Sequence, residues 1–209
     1  MHRSDSLTYF GLMRHAPTLW NLEKRIQGQQ DSPLTDGGKR LADDWAKRLE
    51  SRHWDRLLTS DLGRASQTAS IINRRLGVPL ESDPGLREQN WGRWTGKTFD
   101  ELKRKYRGVL DEQTAYGWEF RPPEGEDRVS VRKRGMRVLI DAARKSPGQT
   151  VLVVSHEGLI KCLIYHLLNR SFLPSEPVVL RPSHLHWLVC ADGRIELEEI
   201  NAISLGIHE

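Results

Sequence analysis

The sequence predicts an α/β protein built on a mostly parallel central sheet. Three observations point there. Thr150–Ser155 is an unbroken β-branched and leucine run, the composition of a strand buried on both faces. It leads straight into Leu159, Ile160, Leu163, Ile164, Leu167 and Leu168, whose i, i+3, i+4 recurrence is that of a helix. The same order occurs upstream, where Arg56–Ser60 precedes Leu62, Ala65, Ala69, Ile72 and Leu76 on one helical face. Strands that alternate with helices are joined by crossovers, which leave neighbouring strands parallel.

In chain order, Leu7–Met13 carries Tyr9 and Phe10 in a short apolar-leaning run and reads as a strand that ends at Arg14-His15. Thr35 is placed to cap a helix whose Leu41, Trp45 and Leu49 recur at helical spacing, with Ala42 and Ala46 beside them. Ser60 or Asp61 is expected to cap the helix that follows the second strand. Leu86–Gly96 is rich in Gly, Trp and charge without periodicity, and Pro122-Pro123-Glu124-Gly125 is punctuated as a loop. A long helical pattern then runs from about Glu126 to Ala143. Leu185–Val189 and Arg194–Ile200 flank Asp192-Gly193 and read as a hairpin on that turn. No linker, repeat or low-complexity tract divides the chain, so residues 1–209 are expected to form one domain.

With 37% hydrophobic and 29% charged residues the chain is far from the composition of a disordered segment. A formal net charge of +4 suits a partner that carries phosphate or carboxylate. The densest basic runs, Lys103-Arg104-Lys105 and Arg132-Lys133-Arg134, read as solvated helix faces, so no nucleic-acid surface is expected. Cys162 and Cys190 lie outside any Cys-x-x-Cys or Cys/His spacing, which signals neither a disulfide framework nor a zinc site. Met1–Phe10 is polar, and no stretch approaches the ~20 apolar residues that span a bilayer. The expectation is a cytoplasmic protein in a reducing compartment, with no metal, no cofactor and no membrane attachment.

Three places share one design, polar residues where a strand ends and a helix begins: Arg14-His15, Ser60-Asp61 with Arg64, and Ser155-His156. Ligands of open α/β sheets bind beyond the carboxyl ends of the strands, and helix N-termini there offer free N–H groups to an anion. Two arginines and two histidines converging on that edge can neutralise a phosphate, which Arg's planar fork matches bidentately. The run Leu12-Met-Arg-His-Ala-Pro-Thr-Leu-Trp-Asn21 resembles the Arg-His-Gly-x-Thr-x-x-Asn signature of the phosphoglycerate mutase-like histidine phosphatases. Gln27-Gly28, Asp31–Gly37, Ser60–Ala69, Glu88-Gln-Asn-Trp-Gly92, Pro123-Glu-Gly-Glu126 and Val153-Val-Ser-His156 follow in that family's order, from Leu7 to Asn201. Its members include α-ribazole phosphatase and broad-specificity phosphatases.

The resemblance implies a three-layer αβα sandwich and a two-step reaction without metal or cofactor. His15 would attack phosphorus, form a phosphohistidine and pass the phosphoryl group to water or another acceptor. Arg14, Arg64 and His156 would hold the equatorial oxygens and offset their charge. Asn21, Gln27 and Gly28 would line the same pocket, and Glu88 would protonate the leaving oxygen and afterwards activate water. The histidines outside these motifs, His2, His53, His166, His184, His186 and His208, are read as structural.

Two departures from the family pattern stand out. Ala16 occupies the place of a glycine, yet Pro17 follows it and pushes it towards extended φ/ψ, where alanine is unstrained. Glu157 occupies the place of another glycine and sets a carboxylate at a helix N-terminus, favourable for the helix dipole but adverse for an anion beside it. It is also a second candidate for the proton donor. The expected activity is hydrolysis of a small phosphomonoester. The interval Lys97–Pro122 is too short for the lid usual in mutases, which leaves mutase transfer, or a non-catalytic phospholigand-binding module, as the alternatives. The leaving group would be selected by an insertion at about 97–122, with Tyr116, Trp118, Phe120 and Arg121 as the selecting residues. A small phosphorylated substrate is the expected partner, with a homodimer left open.

Overall fold

A computed structural model describes residues 7–206. His2 and His208 lie outside the described residues. Six strands, β1 (Thr8–Arg14), β2 (Arg56–Thr59), β3 (Leu80–Ser82), β4 (Thr150–Ser155), β5 (His184–Ala191) and β6 (Arg194–Ser204), form one sheet in the order β3-β2-β4-β1-β5-β6. The β3-β2, β2-β4 and β4-β1 pairings are parallel. The β5-β6 hairpin adds two antiparallel pairings along β1. The sheet is therefore mixed, with a parallel half that faces the crossover helices.

The helices are α1 (Leu19–Leu22), α2 (Asp36–Leu49), α3 (Gly63–Leu76), α4 (Phe99–Ala115), α5 (Arg128–Lys145) and α6 (Glu157–Leu167). Alternation along β4 divides the apolar residues between two cores, because successive Cβ atoms of a strand point to opposite faces. Leu152 and Val154 join Trp45, Leu49, Ala69 and Ile72 of α2 and α3. Val151 and Val153 join Val131, Leu139, Leu159 and Leu163 of α5 and α6. The result is a sheet covered on both faces. Among the described residues no helix is long and apolar enough to cross a membrane.

Register places the chemistry. Arg14 lies opposite Ser155 and Thr59 opposite Val154, so β1, β4 and β2 end on one edge of the sheet. His15 N–H donates to the Ser155 carbonyl (2.9 Å), and Ser60 N–H to the Val154 carbonyl (3.1 Å), which carries the pairing into the loops.

The cap of α3 differs from the expectation. Its N-cap is Leu62, which offers no side-chain acceptor. Ser60 Oγ instead accepts from Leu62 N–H (3.2 Å), and Asp61 pairs with Arg87. The first turn is satisfied from a distance: the Asp31 carboxylate accepts from Gly63 N–H (2.7 Å) and Arg64 N–H (3.3 Å). The 97–122 interval contains helix α4, whose start is marked by a capping box between Thr98 and Glu101.

Candidate active site

Four segments meet beyond the ends of β1, β2 and β4 and enclose a cavity of about 310 Å³. Arg14, His15, Asn21, Gln27, Gly28, Arg64, Glu88 and Glu157 all line it. His156 lies directly behind, its ring centroid 5.2 Å from that of His15.

His15 is buried, 5% exposed. Its Nδ1 lies 2.8 Å from the Ala16 carbonyl, an acceptor, so the proton sits on Nδ1. Nε2 is then the lone-pair nitrogen, and it accepts from Arg64 Nε–H at 3.2 Å. Burial first, then Arg14 and Arg64, holds the imidazole well below the usual histidine range. The ring is thus neutral, with its lone pair on Nε2. Ala16 is not among the residues with positive φ, and its N–H donates to Thr68 Oγ1 (3.0 Å), so the exchange of glycine for alanine carries no backbone strain.

Arg64 is held more firmly than the sequence suggests. Nη1 donates to Gln30 O (2.7 Å) and to Asp31 Oδ1 (3.1 Å), and Nη2 to Gly28 O (2.7 Å). With Nε on His15, four of the five N–H groups a guanidinium carries are engaged. Among the described residues one Nη2 N–H is therefore left for a phosphate oxygen, while Nε holds His15 and the remainder fix the 28–31 loop. His156 is the converse case. It is fully buried, and neither ring nitrogen has a protein partner among the described residues. Burial and the neighbouring His15, Arg64 and Arg14 push it well below the usual histidine range. An unsatisfied buried polar group is costly, and a phosphate oxygen at His15 would relieve it. Gln27 Oε1 is buried without a partner too.

The two carboxylates are held differently. Glu88 Oε1 accepts from Gln89 N–H (2.7 Å) and Oε2 from Gly158 N–H (3.1 Å). Burial nevertheless pushes its carboxyl above the usual carboxylate range, against the pull of those N–H groups and of Arg64 and Arg14. Glu157 is exposed and accepts an ion-paired hydrogen bond from Arg14 Nη1. Such a half-exposed pair contributes about 1 kcal/mol or less, so Arg14 can leave it for a bound phosphate. This pair also stands between the cavity and a neighbouring one of about 370 Å³, lined by His184 and His186.

Arg134 corrects the reading of its basic run as a solvated face. It is half-buried, donating to Gly85 O (2.9 Å) and Glu88 O (2.9 Å) and pairing with Glu126 (2.9 Å), so it clamps the Glu88 loop to the Pro123–Glu126 motif. The expected selecting residues also need correction, since none of Tyr116, Trp118, Phe120 and Arg121 lines the cavity. Phe120 is drawn into a small core with Trp94, Leu102 and Leu110. Trp118 packs on the main core, and Arg121 donates to Gly125 O (3.0 Å). Trp91, Phe172 and, from the 97–122 interval itself, Phe99 supply the aromatic wall.

Gly158 was not singled out from the sequence, yet the site has no room for a side chain there. A Cβ on it would overlap Glu88 Oε1. Gly158→Ala is therefore expected to displace the Glu88 carboxylate and lower kcat on an alkyl phosphate by about 10–100-fold, the scale of a misplaced acid. The melting temperature should change little. Steady-state kinetics beside a thermal melt would check this, and wild-type kcat in a folded variant would mean that Glu88 need not occupy this position.

The fold and this cluster define a phosphoryl-transfer class, the histidine phosphatase superfamily, branch 1. Its family model matches residues 10–203, and the chain belongs to it. The probable phosphoglycerate mutase GpmB of Yersinia enterocolitica is 39% identical over 162 residues, 76% of this chain and 74% of that protein. Among solved structures, Bacillus stearothermophilus YhfR matches with a TM-score of 0.85 at 30% identity, over 95% of this chain and 98% of that one. A mycobacterial glucosyl-3-phosphoglycerate phosphatase complexed with VO3 matches with a TM-score of 0.78 at 27% identity, over 95% of this chain and all (100%) of the other.

Proposed function

We propose that the chain is a phosphatase that hydrolyses a small phosphomonoester through a phosphohistidine on His15. The observation that supports it most is the state of that ring: Nδ1–H tied to the Ala16 carbonyl, Nε2 bearing the lone pair, and cationic or unsatisfied groups around the place where a phosphorus would sit. In the first step Nε2 forms a bond to phosphorus as the ester P–O bond breaks, and the leaving oxygen takes the proton of Glu88. In the second, Glu88 removes a proton from water, which attacks phosphorus and returns His15 to its neutral form. Arg14, Arg64 and His156 stabilise the charge on the equatorial oxygens in both steps, where positioning and electrostatics do most for phosphoryl transfer.

The relatives named as probable phosphoglycerate mutases favour a second reading, in which the phosphoryl group returns to the substrate skeleton. A screen of phosphorylated metabolites separates the two. Hydrolysis releases inorganic phosphate, whereas mutase transfer makes isomers without release. Because the pocket is cationic through side chains of the protein itself, chelators are expected to leave turnover within about twofold while vanadate and inorganic phosphate compete with substrate. Loss of activity with chelator that a divalent ion restores would overturn this scheme. Absence of turnover on a chromogenic phosphomonoester from acid to neutral pH, and on the metabolite screen, would leave only a binding module.

A further inference from the structure

We propose that the cavity takes phosphomonoesters that carry a second anionic group, a carboxylate or another phosphate, held by Lys161 and Arg128 on the wall away from His15. The inference rests on the phosphatase reading only in placing the first phosphate at His15. Both cations line the same cavity as His15 and Glu88. Lys161 lies on α6 five residues beyond His156, about 7 Å along the helix axis at ~1.5 Å per residue.

Among the described residues neither cation forms an ion pair. Arg128, at the start of α5, is sandwiched between the Phe120 and Phe172 rings, its guanidinium carbon 4.2 and 4.1 Å from their centroids. Nη1 donates to Gly117 O (2.8 Å) and Phe172 O (3.4 Å), and among the described residues Nε and Nη2 donate to nothing. The Lys161 ammonium lies 5.1 and 5.3 Å from the Tyr165 and Phe172 ring centroids, and no hydrogen bond or ion pair is formed by it among the described residues. On a helix surface Glu157, four residues earlier, is its natural partner, but that carboxylate is paired with Arg14. The other cavity carboxylate, Glu88, is held by two backbone N–H groups. Arg25, the remaining cation on the wall, is already paired with Glu23 and Glu101.

Two like charges set side by side in a partly desolvated wall repel one another, and burial lowers both, Arg128 to about 10, a value that leaves it charged at neutral pH. An arrangement that weakens the fold persists where a ligand compensates it. An anion at this wall would meet an ammonium and a forked guanidinium, while Trp91, Phe99 and Phe172 pack the skeleton between the two charged ends.

The test is calorimetric binding to the His15→Ala chain, which cannot consume its ligands. Two pairs of probes differ in the second charge: 3-phosphoglycerate against glycerol 3-phosphate for a carboxylate, and fructose 1,6-bisphosphate against fructose 6-phosphate for a phosphate. The doubly anionic member of at least one pair should bind about tenfold tighter or more, and Lys161→Gln or Arg128→Gln added to that chain should shrink the ratio below about threefold. The Lys161 variant carries the test if the Arg128 variant, which loses packing between two rings, does not fold. Equal affinities within both pairs, or a preference that survives the loss of Lys161, would sink the proposal. Hydrolysis of p-nitrophenyl phosphate by the unmodified chain is run beside it. Turnover with equal affinities removes the subsite and spares the phosphatase reading. A Lys161-dependent preference without turnover does the reverse.

Discussion

Replacing His15 by alanine should abolish turnover, with kcat down at least about a thousandfold, and leave the protein folded. The nucleophile forms the bond to phosphorus, and positioning by the arginines cannot substitute for a missing lone pair. The fold should survive because Arg64 loses one contact of four and keeps Gly28, Gln30 and Asp31. The wild type should be phosphorylated on His15 during turnover, in a bond that acid hydrolyses, so trapping requires alkaline quench. Kinetics, a thermal melt and mass spectrometry of the alkaline-quenched enzyme form the measurement. If His15→Ala retained more than a few per cent of kcat, another group would be the nucleophile.

The second large effect separates the two carboxylates. Glu88→Gln is expected to lower kcat on alkyl phosphates by about 10²–10⁴-fold, the usual scale for a lost general acid, and to spare much of the rate on activated aryl phosphates, whose leaving groups need no proton. Glu157→Gln should act mainly on KM, lowering it a few-fold, because it frees Arg14 from its ion pair and removes a negative charge beside the anion. The pH profile adds a check with a definite sign. In the proposed scheme His15 acts when neutral, which its lowered pKa allows well into the acid range, and Glu88 when protonated, which its raised pKa extends upwards. Activity on alkyl phosphates should therefore peak at mildly acidic pH and fall as pH rises through the Glu88 pKa. That alkaline fall should vanish in Glu88→Gln and persist in Glu157→Gln. The opposite pattern would transfer the acid role to Glu157.

How much of this was legible follows from which physics each residue obeys. The strands that end at Arg14 and Ser155 and the helices behind them announce themselves through apolar periodicity, a local signal. So does Thr35, whose hydroxyl caps α2 as its position implies. Asp31 could not be read as the cap of α3, because its carboxylate reaches a helix some thirty residues later and only the folded loop brings the two together. Arg134 is hidden for a different reason. In a run of basic residues it looks like its exposed neighbour Lys133, and only the packing of α5 against the 85–88 loop turns one guanidinium inward. Of the 97–122 interval only the start, Phe99, reaches the cavity among its aromatics, because Trp118 and Phe120 are apolar enough to be drawn into packed cores, whereas Phe172, far along the chain, arrives at the cavity wall.

The register of β1, β2 and β4 has a further consequence for how the protein comes into being. His15 is anchored to Ser155, Arg64 to Gly28 and Asp31, Glu88 to Gly158, and the Glu88 loop to α5, and each of these bonds closes a long stretch of chain. Contacts between distant segments repay their loop-closure entropy only when most of the sheet is already assembled. β4, late in the chain, lies between β1 and β2, so the site is expected to form only once that strand has inserted there. Activity is in this sense a property of the completed sheet, and it should vanish together with it in denaturant instead of fading segment by segment.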